Sequence, residues 1–98
     1  MTNRMLQFTP KVIPILQSYH VAKAAFFGSL VHGEFQEDSS DVDILIMPPK
    51  EMSLLDFIAL KQDIEDRIGK KVDLVSYNGL SPYLKDSILN GQYIFYET

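Results

Sequence analysis

Two aspartates one residue apart, Asp41 and Asp43, open the apolar run Val42–Met47. Upstream, another apolar run, Ala24-Ala25-Phe26-Phe27, delivers a Gly28-Ser29 turn. Side chains alternate along a strand, so Asp41 and Asp43 share one face while Val42, Ile44 and Ile46 share the other. Two carboxylates placed this way repel each other unless a cation lies between them. Oxygen-only ligands suit Mg²⁺, which commonly completes its shell with substrate phosphates. A Gly-Ser turn at a helix start supplies the matching half, backbone N–H groups that can cradle a phosphate. The chemistry these residues point to is a metal-dependent nucleotide site.

Each of these residues also has a plainer reading. Asp38-Ser39-Ser40-Asp41 is turn-like, so Asp41 and Asp43 could be solvated loop-end residues. Against that, Asp43 lies inside an apolar strand, where aspartate is disfavoured and burial of its charge is costly. A calcium loop is a poor rival, because the cluster lacks the spacing and closing glutamate of an EF-hand. Gly28 allows a positive φ and, as bare backbone, lets a phosphate approach closely. Ser29 could cap a short helix, contact phosphate, or do both. Asp73 repeats the anomaly in Val72-Asp73-Leu74-Val75, with pairing to Lys70 or Lys71 as the plain alternative.

Taken together, these residues resemble the Gly-Ser…Asp-x-Asp signature of the DNA polymerase β-like nucleotidyltransferase superfamily, and the length points to its minimal nucleotidyltransferase (MNT) branch. The likeness covers residues 24–76 and, more loosely, the whole chain. A third carboxylate on a later strand belongs to the family pattern, and Asp73 matches it. The resemblance implies that Asp41, Asp43 and Asp73 ligate two Mg²⁺ ions. Asp41 and Asp43 would hold the nucleotide-bound ion and share the second, while Asp73 would help deprotonate the acceptor hydroxyl. It also implies that Gly28, Ser29 and His32 contact the triphosphate, although His32 reads more readily as a surface residue. Two departures stand out. Leu30 and His32 replace residues that the family usually keeps basic, and the spacing from Ser29 to Asp41 is one residue longer than usual.

Positioning these groups requires a definite set of elements. Thr9-Pro10 reads as a helix start, or Ile13 if Pro14 displaces it, with Val12, Ile13, Ile15, Leu16 and Tyr19 as the apolar stripe. Strands are expected at residues 24–27, 42–47 and 72–76, and a short helix at residues 29–33. Pro48-Pro49 stops the second strand. Ser53 caps a long helix that Gly69 ends, with Leu54, Phe57, Leu60, Ile64 and Ile68 facing the core and Lys61 snorkelling among them. Ser81-Pro82 opens a last helix through residue 89. Residues 92–96 form a terminal strand or tail whose Tyr93, Phe95 and Tyr96 either pack inward or face a partner. This alternation implies a small α/β domain spanning residues 1–98, with helices packed on a sheet. The resemblance makes that sheet mixed and the fold nucleotidyltransferase-like, in effect α+β.

Bulk properties narrow the function. Ninety-eight residues with 46% apolar content fit one globular domain. A net charge of −4 argues against a broad nucleic-acid-binding face. No run approaches the ~18 apolar residues of a membrane span, and the N-terminus lacks a signal peptide pattern. With no cysteines, the chain is compatible with a reducing cytoplasm, the location expected for it.

Two functions of different class follow. The resemblance implies a nucleotidyltransferase that moves AMP from ATP onto an acceptor. Since the chain is too short to offer a second lobe as the acceptor's wall, that acceptor is expected to be a protein. MNT proteins are commonly paired with a HEPN-domain toxin, so an antitoxin acting on such a partner is implied. The alternative is a non-catalytic nucleotide-binding module that neutralises its partner by complex formation alone.

Overall fold

The computed structural model describes residues 2–98, in the order α1 (Asn3–Ser18), β1 (Lys23–Phe27), α2 (Ser29–His32), β2 (Val42–Met47), α3 (Leu54–Ile68), β3 (Val72–Ser76), a 3-10 turn (Tyr77–Gly79), α4 (Lys85–Gly91) and β4 (Tyr93–Glu97). The first helix starts well before the expected Thr9-Pro10 signal. Thr2 caps it, its hydroxyl accepting from the Met5 N–H at 3.2 Å. Pro10 and Pro14 lie inside the helix rather than at its start. Both are exposed. The backbone groups they leave unpaired therefore lie on the solvent side, where water can serve them. Met5, Phe8, Val12 and Leu16 recur every three or four residues and are buried, so core packing extends the helix past the proline penalty. Thr9 is no cap; its hydroxyl donates back to the Met5 carbonyl at 2.7 Å.

The four strands run in the order β3-β2-β1-β4. β1 is antiparallel to both β2 and β4, whereas β2 and β3 are parallel, giving the mixed sheet. Ala24, Phe26, Val42, Ile44, Ile46, Val72 and Leu74 point to the face covered by α1 and α3 and form the core with Val12, Leu16, Leu60 and Ile64. Phe95 of β4 stacks on Phe26 with ring centroids 4.1 Å apart, so the terminal aromatics pack inward in part. The long helix carries a capping box between Ser53 and Asp56 and ends at Gly69 in the left-handed conformation. Its inward stripe is shorter than expected. Leu54 is 74% exposed, and Leu55 and Ile58 are exposed with it, so the fully buried positions of α3 begin only at Leu60. Ser81-Pro82 forms a turn, and α4 begins only at Lys85.

The opposite sheet face carries Ala25, Phe27, Asp43, Leu45, Asp73 and Val75 by strand alternation. Ala25 and Leu45 are fully buried there. The chain returning from β3 to β4 lies against this face. Tyr77 donates to Gln92 at 2.5 Å, and the Lys23 ammonium sits 5.0 Å from the centre of the Tyr77 ring. At the other end of the same face the aspartates remain.

Candidate active site

A single row crosses three strands at that end of the sheet. Phe27 is paired with Asp43, and Asp43 with Asp73. Strand register therefore sets the two central carboxylates side by side on neighbouring strands. Asp41 stands two residues before Asp43, just outside β2, and is exposed, as is Asp73. Asp43 alone is half-buried. Burial, reinforced by the negative charges of Asp73 and then Asp41, pushes its carboxyl up from 3.8 to about 6. Both neighbouring carboxylates thus lie close enough to act on Asp43. The three aspartates do not form a finished cage: among the described residues, no three histidine, cysteine or carboxylate side chains already surround an ion position.

Gly28 follows Phe27 directly and caps α2 with φ +71 and ψ −146, a region that side chains rarely adopt. A Cβ at Gly28 would lie 2.1 Å from the Asp43 Oδ2. The close approach that this glycine permits is thus one by the Asp43 carboxylate. Ser29 is the first residue of α2 and makes no side-chain cap bond, which corrects the capping role its position invited. As at any helix start, the first N–H groups of α2 have no partner within the helix. Leu30 is buried in the core, so its departure from a basic residue is a packing choice. His32 is exposed, and a Cβ on Gly91 at the end of α4 would meet its imidazole at 3.1 Å. His32 therefore lies against α4. Among the described residues it forms no ion pair with the aspartates.

The plain alternative for Asp73 does not hold, since among the described residues it forms no ion pair. Lys70 turns instead to Glu37, with Nζ 3.0 Å from Oε1. Glu37 also meets Arg4 of α1, its Oε2 lying 2.7 Å from Nε. Sequence reading missed this residue, and no local pattern could have exposed it, because both partners are distant in the chain. Between residues 37–41 and residues 69–71 lies a cleft of about 280 Å³ that borders Asp41. Another cleft, of about 220 Å³, lies beside Tyr19, His20 and Met52 and contains none of the strand aspartates.

A small mixed sheet with a glycine turn and aspartates on neighbouring strands is the architecture of a nucleotidyltransferase domain, and the comparisons agree. The family described as polymerase beta, nucleotidyltransferase, matches residues 10–98, and the chain belongs to it. A relative in Methanocaldococcus jannaschii, named "Putative protein adenylyltransferase MJ0435", is 46% identical over 80 residues, which cover 82% of this chain and 85% of that protein. The protein adenylyltransferase MntA of Thermococcus cleftensis is 40% identical over 73 residues, covering 74% and 73% of the two chains. Among solved structures, one described as a "putative minimal nucleotidyltransferase" superposes with a TM-score of 0.78 at 32% identity, over 94% of both chains. A toxin–antitoxin with AMP-PNP superposes with a TM-score of 0.79 over 92% of this chain and 73% of that one; at 22% identity, that likeness speaks for the fold. Among the described residues no helix is long and apolar enough to cross a membrane.

Proposed function

We propose that this chain transfers AMP from ATP to a hydroxyl group on a protein partner of the HEPN type, with Mg²⁺ bound by Asp41, Asp43 and Asp73. The observation that carries the proposal is Asp43, a half-buried carboxylate held against Gly28 and beside two further carboxylates. Such a group is unfavourable unless something positive completes it. The donor set is all carboxylate, which suits a hard, oxygen-preferring cation. When bound, Mg²⁺ would offset the triphosphate's charge and polarise the α-phosphate. Membership in the nucleotidyltransferase family and the named activity of the 46% identical relative support the reaction class.

In this reading the acceptor oxygen forms a bond to the α-phosphorus, and the bond to the departing pyrophosphate breaks. Asp73, exposed at the open edge of the row, takes the hydroxyl proton. Gly28 and Ser29 offer backbone N–H groups to the triphosphate. His32 offers an imidazole to its distal end.

Incubation with the cognate partner and Mg²⁺-ATP, read by intact mass, should add one AMP or more to the partner. Asp43→Asn should abolish the addition. If Asp41→Asn and Asp43→Asn neutralise the partner as fully as the parent chain does, complex formation is the function and the catalytic reading fails.

A further inference from the structure

Residues 34–41 lead the chain into β2 and present Asp41, and one side chain ties them down. The Glu37 carboxylate meets Arg4 (Nε–Oε2 2.7 Å, Nη2–Oε1 2.9 Å) and Lys70 (Nζ–Oε1 3.0 Å). The Lys70 ammonium also donates to the Glu37 carbonyl oxygen. A closed turn brackets Glu37: the Gln36 N–H donates to the Ser40 Oγ, and the Ser40 N–H to the Gln36 carbonyl, both at 2.9 Å. Asp41 is the next residue. On the other side, Lys70 is followed by Lys71, whose carbonyl accepts the Val42 N–H at 2.9 Å, and Asp73 comes two residues later. Glu37 therefore joins the approach to β2 to the approach to β3 at the point where the two strands present their carboxylates.

We propose that the Arg4–Glu37–Lys70 clamp positions Asp41 against Asp43 and Asp73, and so sets the divalent-cation affinity of the site. The inference rests on the functional reading above. Its physical basis is a contrast of scales. All three side chains are partly exposed, and ion pairs this wet add little to folding stability. Ligand geometry is far less forgiving, since groups that orient metal ligands typically change metal affinity by about 10–100-fold when removed. Glu37 is a positioning residue: it acts through Asp41.

Calorimetry of Mg²⁺-ATP binding and hydrogen exchange of the metal-free chain test this together. In Glu37→Ala, affinity for Mg²⁺-ATP should fall about tenfold. The Ser40 amide should exchange faster, with the thermal midpoint nearly unchanged. Lys70→Ala should also weaken binding, and the double variant should lose less than the sum of the two single losses, because both single variants remove the contact between the Glu37 carboxylate and Lys70. Parent-like affinity in Glu37→Ala, or fully additive losses in the double variant, would overturn the clamp. If the parent itself binds ATP equally in Mg²⁺ and in EDTA, the functional reading fails and the clamp's role with it. A metal-dependent parent beside an unmoved Glu37→Ala would overturn the clamp alone.

Discussion

Glu65 on α3 and Asp43 on β2 are both withdrawn from solvent, and their surroundings treat them in opposite ways. The Glu65 carboxylate accepts the Val72 N–H at 2.8 Å and meets the Lys61 ammonium at 3.4 Å. The backbone hydrogen bond first, and then nearby lysines, outweigh the burial that opposes them and hold its pKa below the usual carboxylate range. Val72 lies on the outer strand β3, so this contact also occupies a donor that the sheet edge would otherwise leave open. Asp43 has no such partner among the described residues. Burial and two like charges push it to about 6. A carboxylate that the fold satisfies is structural, and one the fold crowds is poised for something it lacks. The contrast separates architecture from site without reference to any relative.

The largest effect that would sharpen this contrast is on transfer. Asp43→Asn should lower it by at least about 10²–10³-fold, the scale of losing one electrostatic contact to a transition state. Glu65→Gln, which keeps an acceptor oxygen for Val72, should leave transfer within about twofold at saturating Mg²⁺-ATP, an order-of-magnitude expectation for a group that touches no reacting atom. Equal losses in the two variants, measured by partner labelling under initial-rate conditions, would erase the distinction.

Next in size is the packing of Gly28 on Asp43. Gly28→Ala introduces a side chain at φ +71 and a Cβ 2.1 Å from Oδ2, so the carboxylate must move. The backbone strain alone costs about 1–3 kcal/mol. Gly69 has a similar φ but open space around its Cβ position, so Gly69→Ala isolates the strain without the collision. Denaturant unfolding should show a larger loss at Gly28. Equal losses would mean that Asp43 yields easily and is not held against the turn.

Opposite pH dependence is the third consequence. The folded value of Asp43, about 6, lies above its free value of 3.8. Its contribution is therefore fully present below the free value and lost as pH rises through 6. A shift this large would be worth about 3 kcal/mol in a fully buried group, and about 1–2 kcal/mol after solvent screening. Asp43→Asn should raise stability by about that much at pH 7 and by almost nothing at pH 4. Glu65 has the reverse sign: its depressed pKa stabilises the fold above the free value of 4.5, and that stabilisation is lost as pH falls. Glu65→Ala should cost about 1–3 kcal/mol at neutral pH, with the deficit shrinking in acid. Urea titrations across pH, read by circular dichroism, check both signs.

How much of this was legible in the sequence follows from the range of the forces involved. β2 and β3 were placed at their observed bounds, because alternation and apolar runs are local signals. The carboxylate row was legible for the same reason, since an aspartate inside an apolar strand is conspicuous without its neighbours. The start of α1 was not, because Thr9-Pro10 looks like a local signal, and only burial of Met5 and Phe8 against the sheet overrides it. Leu54 fits helical periodicity, yet nothing in its spacing says that the first turn of α3 stays open to solvent. Glu37 and Glu65 were invisible for another reason. Their meaning depends on Arg4, Lys70 and the Val72 N–H, groups brought near only by the finished fold.

The smallest effect decides what lowers the pKa of Glu65. Lys61 precedes Glu65 by one helical turn and is nearly half exposed, with its ammonium turned to the Glu65 carboxylate rather than free in water. A pair of this kind contributes about 0.3–0.5 kcal/mol at most, and the order lysine-then-glutamate is the weaker one along a helix. Lys61→Met should therefore cost no more than that, and the cost should disappear in high salt. If the backbone N–H of Val72 dominates, the Glu65 titration followed by NMR should stay well below the usual carboxylate range in Lys61→Met. A return to the ordinary range would make Lys61 the principal partner. Glu65 would then be held by a solvent-screened charge, and its contrast with Asp43 would be one of degree.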